Sequence, residues 1–345
     1  MVTTVLGEIE KEDLGVTLPH EHLLIDLRML VNKPDPVQCP EFYEKLRMGN
    51  LWRIKGDPYA LEDNALLDNK EQAVAEMAAY KAAGGRSVVD VTLRSIGRNP
   101  LALREISRRS GVHVVMGCGQ YIGAAHEKKV AASTAEELAA EMVGEILEGA
   151  DGTDVRAGVI GEIGTSEVIS ENEWKCVDAA AIASLQTEKS IHVHTALFER
   201  NGFAVCDRLT ALGVKPERIA IDHVDAKTDP DYILGLLDRG VYVEFDNFGK
   251  EFYVPKDSKV LKMSFDYDTT RVKVLKMIAD RGYLDRVLIS NDICLKNMWY
   301  QYGGNGYFHM LHNIVPMLRD YGFTEEQIVR LYEKNPQNFL CGETL

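Results

Sequence analysis

Six residues of this chain have the chemistry of a divalent-metal centre: His20, His22, Glu162, His194, His223 and Asp292. Imidazole nitrogens and carboxylate oxygens are the donors that borderline ions such as Zn2+ accept. His20 and His22 are two apart at the end of an apolar run, a spacing that puts both on one side of an extended strand. Glu162 stands inside the apolar VIGEIG, His194 ends IHVH, His223 ends RIAIDH and Asp292 follows LISN. A single buried His or Asp at a strand end is more often a hydrogen-bonded structural residue, and Asp90, Asp222 and His192 are read that way. The six together, all at strand ends, point to metal. They exceed the four donors of one tetrahedral ion, whereas two ions about 3.5–4 Å apart that share a bridging carboxylate use them all. Two Zn2+ ions are expected, with Mn2+, Co2+ or Fe2+ as alternatives.

The elements that must position these residues are eight short apolar strands. They are expected at Gly15–His22, Arg86–Thr92, His113–Cys118, Gly158–Ile163, Ile191–Thr195, Arg218–His223, Val241–Phe245 and Arg286–Asn291. Several are nearly continuous apolar runs, as parallel strands covered on both faces require. Amphipathic helical patterns lie between them, at Lys70–Ala83, Pro100–Ser110, Ala135–Leu147, Asn172–Glu188 and Asp229–Arg239. Two more, Gly306–Asp320 and Thr324–Glu333, close the chain. Eight alternations predict an α/β fold of the (β/α)8 TIM barrel type, with all six candidate ligands on the C-terminal rim that carries active sites. A doubly wound sheet competes, but it would place a Gly-rich turn after its first strand, where this chain has Pro19-His20-Glu21-His22. Residues 1–345 are read as one barrel domain, with the strand-poor stretch 23–69 as a long loop over the mouth.

Composition narrows the partners. Hydrophobic residues make up 46% and charged residues 27%, ordinary globular values, and the net charge is −14. An acidic chain without clustered Lys and Arg is not expected to bind nucleic acid or an anionic membrane surface. The six cysteines are scattered, with no CxxC pair, which suggests reduced thiols. The N-terminal segment has acidic residues where a signal peptide would be basic and then apolar, and no run approaches the ~18 apolar residues of a membrane span. A cytoplasmic location is the expectation.

The motifs His20-Glu21-His22, HVHTA around His194, IDHVD around His223 and LISNDI around Asp292 occur in order. With the closing Asn335-Pro336-Gln337-Asn338-Phe339-Leu340, they resemble the phosphotriesterase-like family of the amidohydrolase superfamily, including phosphotriesterase homology proteins. The resemblance runs from about residue 5 to the end of the chain. It implies that His20, His22 and Asp292 hold one ion, that His194 and His223 hold the other, and that Glu162 bridges. In the best-known member the bridge is a carboxylated lysine. A glutamate is shorter, so the ions must sit nearer strand 4 or the backbone must approach more closely, and efficient triester hydrolysis is put in doubt. Glu21, between the two histidines, should point away from the metals.

The chemistry that follows is hydrolysis by a hydroxide shared between two cations, with Asp292 taking the proton and passing it to the leaving group. Loops after the strands offer Lys250, Tyr253, Tyr121 and Arg94 as contacts to a small-molecule substrate. A lactone or carboxylic ester, such as a sugar or phosphorylated-sugar lactone, ranks first. An N-acyl amide ranks second and a phosphotriester third. The contrasting reading is a small-molecule-binding protein whose chemistry has lapsed, which the intact ligand set disfavours. Relatives pair, so a homodimer is expected.

Overall fold

The computed structural model describes residues 1–254 and 263–343. In it the eight expected strands form one parallel sheet: β1 (Thr17–Glu21), β2 (Ser87–Asp90), β3 (His113–Cys118), β4 (Val159–Gly164), β5 (Ile191–His194), β6 (Ile219–Ile221), β7 (Tyr242–Phe245) and β8 (Val287–Ile289). They neighbour one another in chain order. Between β8 and β1 there is no regular ladder. The Asp292 N–H instead donates to the His20 carbonyl at 3.3 Å, and the His20 N–H to Ser290 Oγ at 3.3 Å. A TIM barrel therefore closes through two segments that carry candidate ligands.

Helices cover the outside: α1 (Lys70–Ala82), α2 (Pro100–Ser110), α3 (Ala135–Leu147), α4 (Glu171–Thr187), α5 (Gly202–Ala211), α6 (Pro230–Leu237) and α7 (Asp268–Asp280). Most of those read from sequence start at a side-chain cap, for example Thr134 with Glu137 and Ser170 with Glu173. The unanticipated α5 and α7 start without one. Asn201, before α5, spends its amide on the carbonyls of Ser166 and Glu167 instead. The closing patterns are split: Met310–Ile314 and Arg330–Lys334 are wider π turns, followed by Val315–Asp320 and Asn335–Cys341. Asn335 of the terminal motif donates to the carbonyls of Leu284 and Val287 at 2.8 and 2.7 Å, pinning the last helix beneath β8. No helix among the described residues is long and apolar enough to cross a membrane.

The stretch 23–69 is not structureless. Ile25–Asp26 pairs antiparallel with Leu66–Leu67, and Leu51–Gly56 is a short helix. Asp63 accepts from Lys296 and Asn64 exchanges hydrogen bonds with Asn297, which ties the stretch to the segment after β8.

Strand β4 departs from regular pairing where it matters. Its register against β5 shifts between Ile160 and Ile163. Gly161 there has φ +115°, and a Cβ on it would lie 2.4 Å from the His192 carbonyl oxygen, while one on Gly117 would lie 2.1 Å from the Gly161 oxygen. Glycine at both positions lets three backbones crowd together, as at bulges that re-aim a side chain beside an active site. Gly161→Ala is expected to destabilise the fold by roughly 2–3 kcal/mol, through left-handed strain and a forced shift of β5. Thermal or denaturant unfolding measures this; a wild-type midpoint would show that the close approach is not needed.

Candidate metal centre

All six candidate ligands converge at the mouth. Their ligand atoms form two overlapping groups, His20–His22–Glu162 and Glu162–His194–His223, in each of which the atoms lie within 4.8 Å of one another. Glu162 belongs to both. Its Oε1 is 3.4 Å from His22 Nε2, and its Oε2 is 3.0 Å from His194 Nδ1 and 3.5 Å from His223 Nε2. Asp292 Oδ1 faces the first group, 3.1 Å from His22 Nε2 and 3.8 Å from His20 Nε2. The re-aimed β4 backbone is what carries the shorter glutamate to a position between the two sets of histidines.

Two of the six sit in left-handed backbone, His223 at φ 63° and Asp292 at φ 47°. That conformation is uncommon for side chains other than Gly and Asn, and it persists only where surroundings over-determine it. In extended chain, Asp222 and His223 would point to opposite faces. The turn at His223 lets both reach His20: Asp222 Oδ2 lies 3.5 Å from its Nδ1, and the two imidazole centroids are 5.1 Å apart. Asp246 holds the turn, accepting from the His223 backbone N–H at 3.0 Å and facing its Nδ1 at 2.9 Å. Glu21 holds the other. Its carboxylate accepts from Ser290 Oγ, from the N–H groups of Asn291 and Ile293, and from the Asn291 amide. It points away from the ligands and fixes the loop that carries Asp292.

The donor set fits divalent ions. His20 is fully buried, and its Nε2 has no hydrogen-bond partner. Burial pushes its pKa down to about 3, leaving a neutral ring, the form that ligates. Burial opposes ionisation of Glu162, but His194 and His223 outweigh it and hold the carboxyl well below the usual range. Burial likewise opposes charge on Asp292, and the ammonium of Lys250, paired with its Oδ2, outweighs it. His22 faces Thr92 Oγ1 at 2.9 Å through its other nitrogen. The residues that would hold two ions are therefore His20, His22 and Asp292 on one side, His194 and His223 on the other, and Glu162 between.

Above the ligands lies a cavity that opens to solvent. Ile25, Leu27, Leu30, Pro58 and Tyr59 of the 23–69 stretch line it, with Leu197, Phe252, Phe265, Cys294 and Leu295. Lys250 and Tyr121, expected as substrate contacts, are both in its wall, and the Tyr121 hydroxyl is 3.4 Å from His194 Nδ1. Arg94 and Tyr253 are not. Arg94 is held by Glu145 of α3 and by Asp151, and Tyr253 is 68% exposed. Their sequence position after a strand was right for the rim, but Arg94 finds two carboxylates first, and Tyr253 points to water. The apolar wall residues and Asp246 were missed. Asp246 carried a signal: it is two residues from Glu244, so both share an inward strand face.

Comparison with known proteins matches the geometry. The phosphotriesterase family model fits residues 1–340. An N-acetyltaurine hydrolase of Xenopus tropicalis is 34% identical over 341 residues, 98% of this chain and 97% of that protein. Among solved structures, a resiniferatoxin-binding protein from Rhodobacter sphaeroides superposes with a TM-score of 0.94 at 36% identity, covering 99% of this chain and 95% of the other. A phosphotriesterase homology protein from Escherichia coli, complexed with phosphate in its active site, gives 0.79 at 33% identity, covering 95% and 99%.

If Glu162 is the shared ligand, Glu162→Ala reconstituted with Zn2+ should hold about one ion per chain where the wild type holds about two. Elemental analysis after gel filtration reads this directly. An unchanged stoichiometry would mean that another group bridges.

Proposed function

The chain belongs to the phosphotriesterase family, a family of metal-dependent hydrolases, and from that premise we propose that it hydrolyses amides, specifically N-acyl compounds whose amine part carries an acid group. The observation that carries this reading is Lys250. It is 5% exposed, in the wall of a largely apolar cavity, with its ammonium paired to Asp292. Burial opposes its charge, but Asp292 outweighs burial and raises the amine pKa, so the ammonium persists at neutral pH. An ammonium has three donors, and Asp292 takes one. The others suit a carboxylate or sulfonate lying beside the reacting centre. The name of the relatives, N-acetyltaurine hydrolase, describes such a compound: an amide whose amine part ends in a sulfonate. This moves amide hydrolysis ahead of the lactone or ester ranked first on sequence.

Two divalent ions held by the six residues would supply an acidified water and a Lewis acid for the carbonyl oxygen. The chain supplies the rest. Asp292, with one oxygen toward the histidines and the other on Lys250, is placed to accept a proton and hand it to the departing nitrogen, which leaves as an amine only once protonated. Tyr121 packs edge-on against His194, with centroids 4.8 Å apart, and limits how that ring turns. Leu27, Leu30, Leu197, Phe252 and Phe265 exclude water from the acyl group.

The Zn2+-, Mn2+- or Co2+-loaded protein should hydrolyse N-acyl amino acids or N-acyl amino-sulfonates, and a chelator should abolish that turnover. A screen in which only lactones or phosphotriesters react would overturn the amide reading, and absence of both metal and turnover would favour a lapsed site. In Lys250→Met, kcat/KM for acidic amides should fall roughly 10–100-fold further than for a neutral ester of the same acyl group, the range of a buried charged hydrogen bond. Equal losses on both substrates would remove the anion-receiving role.

A further inference from the structure

Beneath the mouth lies a second polar layer that never reaches the cavity. His192 of β5, Asp222 after β6 and Glu244 of β7 are all fully buried, and none of them lines the cavity above the ligands. We infer that this layer positions His20, fixing the proton on its Nδ1 so that the Nε2 lone pair is aimed at the space between Glu162 and Asp292. The inference rests on the reading of His20 as a metal ligand.

The geometry at His20 is one-sided. Its Nδ1 faces only carboxylates: Glu244 Oε2 at 3.3 Å, Asp222 Oδ2 at 3.5 Å and Asp246 Oδ2 at 3.5 Å. Its Nε2 has no hydrogen-bond partner. A neutral imidazole carries one N–H, and which nitrogen keeps it is set by the partner of the other. With the proton on Nε2, a ring lone pair would face oxygen lone pairs in a site sealed from water. With the proton on Nδ1, the N–H meets an acceptor and the mouth receives a free lone pair. Ligating histidines commonly donate their other N–H to a carboxylate in this way.

His192 completes the layer. Its Nδ1 is 3.1 Å from Asp222 Oδ1 and 3.0 Å from Glu244 Oε2, so it sits between the two acids and keeps them from repelling each other out of place. Phe339 of the terminal helix packs edge-on against it, with centroids 4.8 Å apart. Glu244 Oε2 is thus approached by two ring nitrogens, which suits an acceptor of two hydrogen bonds; a protonated oxygen would donate to only one of them. His22 differs, because its Thr92 hydroxyl both donates and accepts and does not choose a tautomer. Glu244 and Asp222 act through His20 and are positioning residues.

Long-range 1H–15N correlation on metal-free protein labelled at histidine tests this without a variant of the layer. The His20 signals, identified by their absence in His20→Ala, should show the Nδ1–H tautomer at neutral pH. An Nε2–H tautomer overturns the proposal. In parallel, Glu244→Leu should weaken one of two Zn2+ ions about 10–100-fold in chelator competition; wild-type affinity overturns it. Should that variant not fold, Asp222→Asn replaces it with the same expected and overturning outcomes. Loss of a third ion, with two unchanged, would make the layer a metal site itself and also defeat the proposal. Wild-type protein that binds no transition metal sinks the metal-centre reading separately, since the tautomer is read in the metal-free chain.

Discussion

The structure turns on burying carboxylates where water is scarce. Glu162 is 2% exposed and Asp292 6%, and an ionised carboxylate in such a place is costly unless cations or donors surround it. Asp292 has Lys250 for one oxygen. Glu162 has no lysine or arginine within ion-pair distance among the described residues; only imidazoles approach it. Four imidazoles around one carboxylate, with no lysine or arginine among them, gather nitrogen and oxygen donors at one buried point, which is the donor chemistry of a place for divalent cations.

Meeting that requirement distorts the scaffold locally, and the distortions are shored up. The left-handed turns at His223 and Asp292 are each spanned by one acid, Asp246 for the first and Glu21 for the second. The crowding around Gly161 is accommodated by omitting side chains rather than by adding bonds. Glu21 and Asp246 therefore matter to the site without touching its contents. Their burial is tolerable because every oxygen finds N–H or O–H donors.

These facts explain what the sequence disclosed and what it withheld. The eight strands were legible because parallel strands covered on both faces are written as apolar runs, and the polar residues at their ends stood out against them. Strand ends were overextended at Asp222–His223 and Ser290–Asn291, because the chain leaves extended geometry where it turns ligands inward. His192 and Asp222 passed as ordinary buried residues. Their partners, Glu244 and His20, come from strands far apart in sequence, and no local pattern announces such a meeting. The loop contacts fared unevenly for a similar reason: Lys250 and Arg94 look alike as cations after a strand, yet one is captured by Asp292 and the other by Glu145 and Asp151.

The expectation that Glu162 stands where the best-known relative has a bridging lysine can be weighed in the same terms. A shorter side chain demands that the backbone come closer, and the shift at Ile160–Ile163 provides it, but only while β3 and β5 leave room. Gly161 is packed close against the His192 backbone of β5, and from this position Glu162 approaches both sets of histidines. Under the proposed function, a carboxylate held in this way would favour a substrate whose own acid group locates it. Lys250 stands one hydrogen bond from Asp292, so in that reading the locating contact and the proton acceptor would be held together. The apolar wall would then be free to be permissive about an acyl group, having only to exclude water while the acid end sets the register.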